Sequence, residues 1–106
     1  MEKLKSYLDE AVKFGEIKKF TSELALQALQ ALPDALPIPD ASIVSDGVVL
    51  FTWDKGVHHG EMEVYPNSRG LLLYINAKTN YELEREFIIG KSVPKKFVDN
   101  FKFFAA

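Results

Sequence analysis

Cysteine is absent from the 106 residues. That excludes disulfides, thiolate metal sites and cysteine nucleophiles together, and it suits a reducing compartment. Long apolar runs are also missing: nothing approaches the ~20 residues of a membrane-spanning helix. Met1 to Phe20 mixes lysines and acids among its apolar residues instead of forming a signal-peptide core. A cytoplasmic protein with no membrane partner is expected. Neither charge dominates, because 13 Lys and Arg face 15 Asp and Glu for a net charge of -2. Direct binding to a nucleic-acid backbone, which needs clustered cations, is therefore not expected. The six glycines are scattered, and although Gly90 precedes Lys91-Ser92, Arg85 stands where a phosphate loop needs its first glycine, so the required spacing is not met. With 47% hydrophobic and 26% charged residues the composition is that of a globular chain, and its length fits one domain, residues 1–106.

What is present is a run of short alternating segments. Val48 to Trp53, Glu61 to Tyr65, Leu71 to Asn76 and Tyr81 to Phe87 each read as a strand, separated by turn residues. Together they predict an antiparallel meander, with Ala41 to Val44 as a fifth, edge strand. In the second segment Met62 and Val64 face the core while Glu61, Glu63 and Tyr65 face outward. Leu71 to Asn76 is apolar on both sides, which places it centrally. In the fourth, Glu82, Glu84 and Glu86 alternate with Tyr81, Leu83, Arg85 and Phe87, so three carboxylates line one side.

Helices flank this sheet. Glu2 to Phe14 carries Leu4, Tyr7, Leu8, Ala11 and Val12 at helical spacing, and Gly15 is a natural stop. A second helix, capped by Thr21 or Ser22, runs to about Leu32, where Pro33 ends it. Its apolar residues, Leu24 to Leu32, cover more than one stripe, a pattern that suits a partner or a second copy as well as a core. Residues 33–45 form a stiff proline-rich connector with Leu36 and Ile38 as apolar pegs, leading into the sheet at residues 46–89. A closing helix over residues 92–104 opens around Ser92 to Pro94 and buries Phe97, Val98, Phe101 and Phe104. The expected fold is α+β: a four- to five-stranded antiparallel meander with two N-terminal helices and one C-terminal helix packed on one face.

The order Leu32-Pro33, Leu36-Pro37, Pro39-Asp40, Asp46-Gly47, an alternating strand and Trp53 resembles a family of small, functionally uncharacterised bacterial proteins associated with phage-like and other mobile DNA. Val93-Pro94 followed by Phe97 looks like that family's closing helix, and the likeness covers about three-quarters of the chain. Thr52 stands where the family pattern has an acid before the tryptophan, so no role of that carboxylate transfers. The resemblance implies a bacterial or phage origin and an anti-defence role, such as that of an anti-CRISPR protein.

The chemistry-bearing residues are few. His58 and His59, beside Asp54 and Glu61, are the only imidazoles; in an extended chain they point to opposite sides, so a solvated hairpin loop is a better account of them than a metal site. Ser45, Ser68 and Ser92 are explained as turn or cap residues. Trp53 with Phe51, and Phe97 with Phe101 and Phe104, have core spacing in preference to that of a base-stacking platform. Lys91, Lys95, Lys96 and Lys102 read as a solvated helix face. No catalytic residue, metal or cofactor is expected. The carboxylates of the sheet remain: Glu61, Glu63, Glu82, Glu84 and Glu86 are expected around an exposed apolar centre of Leu72 and Tyr74, on the face away from the helices. This set, with Tyr74 as anchor, suits docking on the basic surface of a nucleic-acid-binding protein. The other reading is an antitoxin-like or regulatory protein acting through Thr21 to Leu32, which would also support a homodimer.

Overall fold

The computed structural model describes residues 2–91, 93 and 95–104. Helix α1 (Glu2–Lys13) is followed by α2 (Lys19–Gln30), and then by strands β1 (Asp40–Val44), β2 (Val48–Lys55), β3 (His58–Val64), β4 (Arg69–Asn76) and β5 (Tyr81–Ile88). A short helix α3 (Lys95–Phe101) continues into a 3-10 turn over Lys102–Phe104. The five strands pair antiparallel in sequential order, β1-β2-β3-β4-β5, so the meander and its edge strand are as expected and the fold is α+β. No helix among the described residues is long and apolar enough to cross a membrane.

Each connection has a local cause. Gly15, at φ +77°, closes α1, with the amides of Gly15 and Glu16 bonded back to the carbonyls of Val12 and Ala11. Asp46 and Gly47 both adopt left-handed φ in the turn between β1 and β2, where short side chains are tolerated. At the turn after β4, Asn76 Oδ1 accepts from the amides of Lys78 and Thr79.

One face of the sheet is buried. Phe51, Met62 and Leu72 are direct cross-strand neighbours with no exposure; Val49, Val64 and Phe87 lie in the buried row on one side of them, and Trp53, Tyr74 and Leu83 in that on the other. α2 and α3 lie over it. Phe97, Phe101 and Phe104 are buried there, and full burial of each ring is worth roughly 1.5–3 kcal/mol. Phe101 meets Trp53 edge-on at 5.2 Å and Phe104 at 5.4 Å, the T-shaped geometry that aromatic quadrupoles favour. These rings are core, as their spacing indicated. The connector is held by Trp53, whose indole Nε1 donates to the Pro37 carbonyl at 2.9 Å. Leu36 packs against the core, but Ile38 is exposed and forms no peg; the neighbouring Pro39 is the buried residue there.

Two further expectations are corrected, and a third lies outside the described residues. The second helix starts at Lys19, with Lys18 in the cap position and no side-chain cap; Thr21 and Ser22 lie one turn inside it and are buried. Thr21 stands three, four and seven residues before Leu24, Ala25 and Ala28 and shares their buried face, so it packs inside the helix instead of capping it. His58 and His59 belong to β3, because a two-residue turn, Gly56-Val57, is enough to reverse the chain, with Gly56 at φ +58°. The cap expected around Ser92 to Pro94 includes residues outside those described.

Gly60 lies in β3 under the C-terminal rings, where a Cβ would come within 2.9 Å of Phe104 Cε2 and 3.1 Å of Phe101 Cζ. Gly60→Ala should therefore overpack this seat and destabilise the fold by about 1–3 kcal/mol. Thermal unfolding would read this as a melting point lowered by about 4–8 °C per kcal/mol.

Candidate functional site

The uncovered face of the sheet is set by register alone. Residues directly opposite one another on adjacent strands share a face, so the pairs Leu50↔Glu63, Glu63↔Leu71 and Leu71↔Glu86 lie in one row across β2 to β5. The next row runs Thr52, Glu61, Leu73 and Glu84, and the third runs Asp54, His59, Ile75 and Glu82. The structure brings Glu61, Glu63, Glu82, Glu84 and Glu86 onto one face, as the alternation indicated. Glu61 and Glu63 are half-buried on a central strand; the three on β5 are exposed.

The apolar centre is different from the expected one. Tyr74 is 1% exposed and Leu72 wholly buried, both on the helix-covered side, so Tyr74 is no surface anchor. Because Leu72 pairs with Met62, it must share Met62's buried face. Leu71, Leu73 and Ile75, half-buried on β4, stand between the two carboxylate rows instead.

The rows on β3 and β5 are two strand spacings apart, roughly 9.6 Å, about one screening length at 0.1 M salt. Their fields overlap across the apolar strip between them. Tyr65, on the same face, registers this: partial burial first, then the charge and hydrogen bond of Glu63 and the charges of Glu86 and Glu84, raise its phenol pKa above the usual value. The one ion pair seen with a β5 carboxylate joins Arg69 Nη1 to Glu86 Oε2 at 3.5 Å, with both side chains largely solvated. Such a pair contributes little and leaves the β5 carboxylates largely uncompensated.

At one end of this face His59 is clamped between two acids. Its Nδ1 donates to Asp54 Oδ1 at 2.6 Å and its Nε2 to Glu61 Oε2 at 2.7 Å. Ionised carboxylates only accept, so the two contacts together favour a ring that carries both protons, the imidazolium form. Partial burial works against that charge, but the hydrogen bonds from Glu61 and Asp54 and their negative charges outweigh it, and the pKa is raised above 6.5. The clamp was not foreseen. Its signal was the two-residue turn, which puts position 54 opposite position 59.

His58 points the other way. Its Nδ1 is hydrogen-bonded to the Tyr74 hydroxyl at 2.6 Å, and its ring stacks on Phe103 at 4.4 Å and 3°. The two imidazoles thus face opposite sides of β3, and no group of three His, Asp or Glu among the described residues is arranged to hold a metal ion. Elsewhere, a cleft of about 280 Å³ between the end of α2 and the connector is lined by Leu32, Pro33, Leu36, Pro37 and Trp53 among others. It holds one acid, Asp34, and no convergent set of polar groups. The broad apolar arc of α2 is largely absorbed by the fold: Leu24, Ala25, Ala28 and Leu32 are buried, and Leu26 and Leu29 pack against the core. No protein-family model, curated protein or solved structure matches the chain.

The His59 clamp generates a pH signature. A group whose pKa is raised on folding stabilises the native state fully below its unfolded pKa of 6.5, and that contribution is lost as the pH rises through the folded value. His59→Gln should cost no more than about 1 kcal/mol, given the partial solvation of the clamp. Urea unfolding of both proteins should show the gap largest near pH 5–6 and shrinking toward alkaline pH. A gap constant across that range would mean an uncharged ring.

Proposed function

We propose that this protein is a non-catalytic binding module that docks its open sheet face onto a basic surface of another protein, one that itself binds nucleic acid. The observation that carries this reading is the placement of Glu61, Glu63, Glu82, Glu84 and Glu86 around Leu71, Leu73 and Ile75 on a face that no helix among the described residues covers. An apolar strip flanked by like charges offers two things to a partner. The strip supplies desolvation energy, and the charges supply steering and register. A surface evolved to hold phosphates has the matching pattern of Arg and Lys. Occlusion of such a surface is the action of an inhibitor, and the resemblance of the Leu-Pro repeats, Asp46-Gly47 and Trp53 to phage-associated proteins favours an inhibitor of host defence, anti-CRISPR-like in role. Leu72 and Tyr74 take no part in this surface.

The test is capture from bacterial lysate by the tagged protein, with bound proteins identified by mass spectrometry and washes at low and high salt. A stoichiometric nucleic-acid-binding protein released by salt is the expected result. The triple variant Glu82→Gln, Glu84→Gln, Glu86→Gln should keep its melting point and bind that partner about tenfold or more weakly at low salt, since each exposed pair is worth up to about 1 kcal/mol. Leu73→Ser should weaken binding with no change in its salt dependence. Equal binding by the triple variant would remove the acidic face from the mechanism, and recovery of the protein alone would favour self-association.

A further inference from the structure

The two edges of the sheet are unlike. β1 is five residues long and follows directly on the proline-rich connector. β5 is eight residues, in unbroken register with β4 from Tyr81 to Ile88, and holds no proline, lysine or bulge; its edge is guarded by charge alone, from Glu82, Glu84, Arg85 and Glu86.

The hydrogen bonds of the adjoining hairpin say which backbone groups of β5 face outward. The Tyr65 amide donates to the Arg69 carbonyl at 2.9 Å, so Arg69 turns its backbone toward β3 and away from β5. Its partner on β5, Ile88, is therefore not bonded to it, and the Ile88 carbonyl instead accepts from the Lys91 amide at 3.0 Å. Ile89, one position on, turns inward and donates to the Ser68 carbonyl at 2.9 Å. Backbone direction alternates along a strand, so Glu82, Glu84 and Glu86 aim their amides and carbonyls away from β4, where no further strand lies among the described residues. Arg85 Nη1, itself exposed, donates to the Glu84 carbonyl at 2.7 Å from that side.

We infer that β5 is a strand-addition site for an extended partner segment with Lys or Arg at alternate positions. The outward groups of Glu82, Glu84 and Glu86 supply the ladder bonds. A residue opposite each of them lies on the same face as its carboxylate, which calls for a cation there, while the two intervening residues lie opposite Leu83 and Arg85, where an aliphatic side chain packs on Leu83 and on the alkyl stem of Arg85. Self-addition is disfavoured by the same charges: a two-fold pairing centred on Glu84 sets it against its own copy and Glu82 against Glu86. The edge is thus closed to a second copy and open to a cationic strand. This inference rests on the basic-partner reading above and narrows that partner to an extended segment.

The probe is a synthetic peptide, Gly-Lys-Val-Arg-Val-Lys-Gly, titrated into the isotope-labelled wild-type protein and followed by amide exchange. On saturation, exchange at Glu82, Glu84 and Glu86 should slow tenfold or more, while Leu83, Arg85 and Phe87, already bonded to β4, should change little. Glu84→Pro removes an outward amide but no ladder bond, so it should retain the melting point within a few degrees and abolish binding. An N-methyl peptide of the same charge should fail to bind. Failure of the peptide to bind, or binding without protection of those three amides, would overturn the strand-addition site. If the triple glutamine variant loses the lysate partner while Glu84→Pro retains it, docking uses the flat face and the edge proposal falls alone.

Discussion

The register of the central strands is the constraint on which the rest of the molecule depends. Phe51, Met62 and Leu72 sit side by side on β2, β3 and β4 without exposure, and each is followed along its strand by a residue that faces the other way. A slip of one residue in β3 would drive Glu61 and Glu63 beneath the helices and lift Met62 and Val64 into solvent. The cost of burying two unpaired carboxylates far exceeds what any alternative pairing offers. The buried row and the acidic face are consequently one decision, taken twice per strand.

The covering layer is matched to this sheet by shape. Gly60 leaves room for Phe101 and Phe104, and Gly70 is roofed by the Phe87 ring of the adjoining strand, so two gaps in the buried face are filled by aromatic carbon. Phe97 and Trp53 complete the aromatic seat. The N-terminal helices need a separate tether, and the connector provides it: three prolines limit its freedom, and Trp53 hydrogen-bonds to Pro37 from the sheet side. Stiffness of this segment lowers the entropy lost when it is fixed.

Much of the architecture was legible in the residues. Alternation in Glu61 to Tyr65 and Tyr81 to Phe87 placed their faces correctly, as did the helical spacing of Phe97, Phe101 and Phe104. β4 was less informative. Apolar on both sides, it offers no internal clue to which side is covered, and only its pairing with Met62 decides that Tyr74 goes in and Leu73 stays out. The histidines were assigned to a loop because Gly56 and Gly60 bracket them. In fact one glycine makes the turn and the other makes space for a ring, two different uses of the same missing side chain. Thr21 and Ser22 read as caps since hydroxyl residues usually serve as such, yet both are buried in the first turns of a helix that begins at Lys19. Local chemistry was readable wherever it agreed with tertiary demand.

The chain has a single tryptophan. Its ring is almost wholly buried between Phe101 and the connector, and its one polar atom is engaged by a carbonyl sixteen residues away. That position makes the indole an optical reporter of the joint between the helical part and the sheet. Release of the connector would wet the ring and shift its emission to the red while every strand pair stayed intact, so fluorescence and far-ultraviolet dichroism would follow separate events in the same molecule.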